Sequence, residues 1–129
     1  MKLDPNCVRD ILILCEDIPF LSEDMTWEPV SLSYFTEHLS QYPCNQIAYT
    51  LYQLNDADYI NASVLDGDNQ LIDIYVYRLT YSGHELIDSI RPAKVWDKID
   101  KTISELSSIS LPVLQDIRSH FLINLLTSH

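Results

Sequence analysis

The chain has 129 residues, 47% apolar and 21% charged, the composition of one ordinary globular domain rather than of a disordered or fibrous chain. Its net charge of −11 is uneven: no Lys or Arg occurs from Asp10 to Tyr77, where twelve acidic side chains fall, whereas residues 78–129 balance six of each sign. That imbalance disfavours nucleic acid and membrane surfaces as partners and favours basic or neutral proteins.

Pro5 suits the first turn of a helix, and Val8, Ile11, Leu12 and Cys15 follow the i, i+3, i+4, i+7 spacing of one buried face. Asp17–Asp24 breaks that helix around Pro19. Met25–Leu32, interrupted by Pro29, reads as at most a single edge strand. Ser33 is the expected cap of a second helix that turns Phe35 and Leu39 inward and stops near Tyr42-Pro43. A tight link through Pro43-Cys44-Asn45 leads to a third helix with Ile47, Ala48, Leu51 and Leu54 facing the core, a helix-turn-helix pattern.

Tyr59–Val64 and Gln70–Leu79 are rich in β-branched and aromatic residues, and Asp66-Gly67 between them offers the positive backbone torsions of a hairpin turn. Thr80 or Ser82 starts a further helix, Ser82 and Glu85 having capping-box spacing, with Leu86, Ile87 and Ile90 on its apolar face. Ala93–Leu106 carries a stripe at Val95, Ile99, Ile103 and Leu106, and after Pro112 a last helix is expected with Leu114, Ile117, Phe121 and Leu125 on one side. The order predicts an α+β winged-helix domain over 1–91, helix-turn-helix plus β-hairpin wing, with a C-terminal helical extension over 92–129 packed on the same domain.

Two stretches add a resemblance. Asn45–Asn61, NQIAYTLYQLNDADYIN, is similar to the junction of winged helices in which a helix ends in Leu and a short link leads to the next strand. Arg78–Asp97, RLTYSGHELIDSIRPAKVWD, with Thr80, Gly83, His84, Leu86-Ile87, Asp88, Ile90-Arg91 and Val95-Trp96, resembles the family called domain of unknown function 2513. The resemblance implies a winged-helix-like fold, an origin in phages, prophages and other mobile elements of bacteria, and no established activity. This chain departs from the family pattern at Thr50, where a His often stands in the third helix, and at Asp58, where a Gly is common.

The functional surface expected of such a fold is the outer face of the third helix with the wing tip. Here those are Gln46, Tyr49, Thr50, Tyr52 and Gln53, and Asp66, Gly67 and Asp68. Gln can read adenine edges, but phosphates take half or more of protein–DNA hydrogen bonds and this face has no cation to meet them. Tyr supplies large contact area at low entropic cost, so the face suits protein recognition. The expectation is a non-enzymatic, cytoplasmic protein-interaction or regulatory module. Its partner is a protein or a second copy of itself, the latter through Leu114, Ile117, Phe121 and Leu125. The alternatives are a dimeric regulator that grips duplex DNA through Lys94, Lys98 and Lys101, aided by Arg78 and Arg91, and an acidic mimic of DNA.

No cofactor, metal, membrane span or small-molecule substrate is signalled. Cys7, Cys15 and Cys44 form no CxxC pair and are expected as free buried thiols, and Asp66, Asp68 and Asp73 lack the spacing of a calcium loop. His84, in Gly83-His84-Glu85, has no recognisable nucleophile and orienting partner. It is expected to cap or pack between its helix and the hairpin.

Overall fold

Asp4 and Pro5 start the first helix, α1 (Pro5–Asp17): the Asp4 carboxylate accepts from the Asn6 N–H at 2.9 Å, and Pro5 occupies a position whose missing N–H costs nothing. The computed structural model describes residues 1–91. The predicted apolar face of α1 is buried through Cys7, Val8, Ile11, Leu12 and Cys15. Of the predicted edge strand only β1 (Val30–Ser31) forms. The residues before it fold back on themselves. Leu21 bridges Trp27, Ser22 N–H donates to the Thr26 carbonyl at 2.9 Å, and Glu28 N–H donates to the Phe20 carbonyl at 2.7 Å.

The second helix, α2 (Leu32–His38), starts earlier than Ser33 suggests. Ser31 is its N-cap residue, but the Asp73 carboxylate, reaching across from a strand, accepts from Leu32 N–H at 3.2 Å. It ends at His38 rather than near Tyr42-Pro43, and Leu39–Pro43 links it to α3 (Cys44–Asp56). Ile47, Ala48, Leu51 and Leu54 of α3 are buried as predicted. The chain then turns through Asp58, whose φ of 64° is the left-handed conformation that Gly adopts at least cost, a physical reason for Gly at this junction.

β2 (Ile60–Gly67) and β3 (Gln70–Leu79) form the predicted hairpin, with β2 running three residues beyond Val64. Its turn is also displaced. The positive φ values fall on Asp68 and Asn69, at 50° and 62°, and Gly67 pairs with Gln70 as the last rung. Such a two-residue turn with both central torsions positive matches the right-handed twist of its strands. Thr80, not Ser82, caps α4 (Tyr81–Ile90): its hydroxyl accepts from Gly83 N–H at 3.1 Å.

The described residues thus form a mixed α+β body of four helices and a three-stranded antiparallel sheet in the order β1-β3-β2. α1 packs against α3, α4 and β3, and the core between helices and sheet is closed by Phe35, Ile60, Ile74, Val76, Leu86, Ile87 and Ile90. At the far end of α4, Arg9 donates to the Ile90 and Arg91 carbonyls, while Arg91 pairs with Glu16 of α1 and Asp88. Lys94, Trp96, Lys98 and Lys101 and the stripe of Leu114, Ile117, Phe121 and Leu125 lie outside the described residues.

Candidate interaction surface

The sequence-predicted face of α3 divides in two. Thr50 is not on the surface: it is fully buried, its hydroxyl donating to the Gln46 carbonyl at 2.7 Å one turn back. The Thr50 hydroxyl also meets the Cys7 thiol of α1, so this position is an interhelical contact. Period arithmetic explains the misreading, because residue 50 stands three after Ile47 and four before Leu54, on the same stripe. Gln46 is half-buried, and its amide donates to the Lys2 carbonyl at 3.2 Å, tying down the N-terminal segment. Gln53 and Tyr49 are half-buried, and Tyr52 is exposed.

What remains open is apolar. Asn45, Ala48, Tyr49 and Tyr52 of α3 and Leu71 of β3 line a groove of about 380 Å³ between the helix and the hairpin. Leu71 is exposed in that groove, and two more hydrophobic side chains of the hairpin are exposed outside it: Leu65, opposite Asp73 in the ladder, and Ile72, 66% exposed beside Leu32 and Thr36 in a separate hollow. Sequence reasoning missed them, because it took the hairpin tip as a pair of acidic groups. Asp66 does sit there, directly opposite Leu71 in the ladder, with Asp68 in the turn. An apolar patch is therefore rimmed by carboxylates, with no Lys or Arg on α3, on β2 or on β3 before Arg78.

A register shift explains the exposure of Ile72. Leu65 pairs with Asp73 and Asp66 with Leu71, which leaves Ile72 as an extra residue on β3. Such bulges re-aim side chains, and here Ile72 leaves the face shared by Ile74 and Val76 and points to solvent.

The Thr80–His84 motif is built for position rather than contact. Thr80 N–H donates to the Tyr59 carbonyl at 3.1 Å, its hydroxyl donates to the Asp58 carbonyl at 2.5 Å, and the same hydroxyl receives Gly83 N–H. Gly83 lies so close to the Tyr59 carbonyl that a Cβ would stand 2.1 Å from its oxygen. The clasp joins the end of the hairpin to the link after α3. His84 is exposed instead of packing between helix and hairpin, and Cys44 is exposed while Cys7 and Cys15 are buried. Burial pushes the Cys15 thiol up to about 12 and the Cys7 thiol to about 11. Among the described residues no group of His, Cys, Asp and Glu could hold a metal ion, and no helix is long and apolar enough to cross a membrane.

The family model described as "Hypothetical protein (DUF2513)" matches residues 2–110. The chain belongs to that family. No curated protein and no solved structure matches the chain. Within the family match fall the whole described body, the Thr80–Gly83 clasp and the groove between α3 and the hairpin.

Proposed function

We propose that this member of the domain of unknown function 2513 family is a non-enzymatic winged-helix interaction module that docks a partner protein in the groove between α3 and its wing, the β2–β3 hairpin. The element order α1-β1-α2-α3-β2-β3 supports the winged-helix reading. The observation that carries the docking reading is the apolar, acid-rimmed groove. Tyr49, Tyr52 and Leu71 offer aromatic and aliphatic contact where a DNA-reading protein of this shape needs phosphate-neutralising cations. Asp66 and Asp68 beside it select a partner that presents an apolar anchor flanked by basic side chains.

Two measurements test this. Fluorescence anisotropy with labelled random-sequence duplex is expected to show no binding at about 50 mM salt; micromolar binding that collapses at about 200 mM overturns the reading, because phosphate contacts behave that way. A photo-crosslinking amino acid placed at Tyr52 in producing cells is expected to give protein adducts, a second copy of the chain included. Leu71→Ser is expected to remove them, and adducts to nucleic acid alone would refute the proposal.

A further inference from the structure

A second surface lies on the other flank of the hairpin, at the junction of β3 and α4. Two hollows meet there. One of about 500 Å³ is lined by residues that include Asn55, Asp58, Arg78, Thr80 and Tyr81, and one of about 280 Å³ by Trp27, Asn61, Tyr77 and Arg78. Asn61 and Arg78, paired across the ladder, line both, so the two hollows adjoin at Arg78 as the two ends of a trough.

Of the three arginines in the described body, Arg78 alone is bound neither to a carboxylate nor to a carbonyl distant in sequence. Arg91 is paired with Glu16 and Asp88, and Arg9 binds the carbonyls that end α4. Arg78 has no carboxylate partner among the described residues; its Nη1 makes a long bond to the adjacent Leu79 carbonyl, at 3.4 Å. Asp58 lines the larger hollow without pairing with it. A guanidinium is a planar fork of five donors, matched to carboxylate geometry, and most of those of Arg78 have no partner among the described residues.

The walls are aromatic. Tyr81 is 78% exposed and Trp27 55%, with Tyr77 beside them. Trp27 does not hang from a loose loop. The Leu21–Trp27 bridge holds it, together with the Ser22–Thr26 backbone bond and the Thr26 N–H bonds to the Ser22 hydroxyl and the Asp24 carboxylate, at 3.1 and 3.2 Å. A tightly bonded loop that presents a large indole to solvent pre-organises a contact surface.

We propose that this trough binds an acidic peptide segment of a partner protein, one carboxylate engaging Arg78 while a neighbouring apolar side chain packs among Trp27, Tyr77 and Tyr81. The charge pattern selects this occupant. One guanidinium answers one carboxylate, while Asp58 in the larger hollow and the other acidic groups between Asp10 and Tyr77 oppose any further negative charge, on a peptide or on a nucleic-acid strand. The site is separate from the α3 groove, shares no lining residue with it, and does not depend on the function proposed for it.

A displayed random dodecapeptide library, panned on the full chain with counter-selection on Arg78→Gln, is the experiment. Enriched peptides are expected to share Asp or Glu next to an aromatic or aliphatic residue. One of them, titrated by tryptophan fluorescence, should bind at least about tenfold more weakly to Arg78→Gln, and its carboxamide analogue should lose as much against the native chain. The two changes together should add nothing further. Arg78→Lys, which keeps the charge and loses the fork, should fall between, and Tyr52→Ala in the α3 groove should leave the affinity unchanged. Arg78 is exposed, so near-UV circular dichroism is expected to match the native chain. A consensus without a carboxylate, or equal affinity for Arg78→Gln, overturns the proposal. So does binding of labelled oligo(dT) that Arg78→Gln abolishes, which would assign the trough to nucleic acid.

Discussion

Gly83 offers a test in which the sign of the effect decides. A methyl group there would stand 2.1 Å from the Tyr59 carbonyl oxygen and 3.1 Å from Leu79 Cγ. Ordinary carbon–oxygen contacts are about 3.3–3.6 Å, so the helix or the link must move by more than an ångström. The carbonyl cannot retreat freely, because it accepts the Thr80 N–H at 3.1 Å, and Thr80 is the cap of the same helix. Overpacking of this kind costs about 1–3 kcal/mol and a lost hydrogen bond about 1 more. Against this, Ala is favoured over Gly in a helix by at most about 1 kcal/mol. Gly83→Ala is therefore expected to destabilise by about 1–3 kcal/mol. In urea, with a slope of about 1–1.5 kcal/mol per M, the midpoint should fall by about 1–2 M at unchanged slope. The chain's other glycine is the control. A Cβ at Gly67 meets only the Ile72 side chain, Cδ1 at 2.6 Å and Cγ1 at 3.6 Å, which is exposed and can swing aside, and Gly67 has no positive φ. Gly67→Ala should stay within about 0.5 kcal/mol of the native chain. A midpoint unchanged or raised by Gly83→Ala would refute the close approach as the reason for that glycine.

Thr80→Val should cost about 1–2 kcal/mol in the same titration, since it deletes the cap bond to Gly83 N–H and the hydroxyl's bond to the Asp58 carbonyl while keeping the side-chain shape; a loss under about 0.3 kcal/mol would contradict that account. The buried thiols predict alkaline sensitivity. Cys7 and Cys15 hold their protons to about 11 and about 12 when folded, against an ordinary 9.0, so above pH 9 the unfolded chain loses protons that the folded chain keeps. Their contribution is complete below pH 9 and falls by up to about 1.4 kcal/mol per pH unit per thiol, until pH 11 for Cys7 and pH 12 for Cys15. Urea midpoints measured from pH 8 to 11 should decline above pH 9, and Cys15→Ala should shallow that decline; an identical slope in the variant would count against it.

Much of the fold could be read from periodicity. The apolar positions of α1, α3 and α4 recur at helical spacing, and each buries the side chains predicted for it. The hairpin followed from two β-rich runs around a Gly-containing gap. What periodicity could not supply was anything set by a partner distant in sequence. The start of α2 is fixed by Asp73, forty-one residues on, so Ser33 looked like the better cap. The α4 cap went to Thr80 rather than to Ser82, because Thr80 also bonds the link after α3. Thr50 was placed outside because a hydroxyl reads as polar, although its bond to the Gln46 carbonyl satisfies it in the interior. The tyrosines of α3 and the acidic hairpin turn were legible; the exposed apolar side chains of the hairpin, Leu65, Leu71 and Ile72, were not.

Both proposed surfaces trace to the same device in β3. Strict alternation along Gln70–Leu79 puts Ile72, Ile74, Val76 and Arg78 on one face, and only the middle two of those are buried. The ladder skips a partner at Ile72, and again at Tyr77 between the pairs Asn61–Arg78 and Ala62–Val76. Each skipped residue shifts the phase of everything beyond it. At the turn end the shift sends Ile72 outward and pairs Leu71, which lines the α3 groove, with Asp66. At the base it brings Leu79 into the core in place of Arg78 and leaves Tyr77 and Arg78 as consecutive exposed side chains. An unshifted strand would have aimed the guanidinium at Ile74 and Val76, where desolvation of an unpaired charge costs several kcal/mol. The second bulge thus makes Arg78 tolerable at this position, and it also puts that arginine, unpaired, in the middle of an aromatic trough.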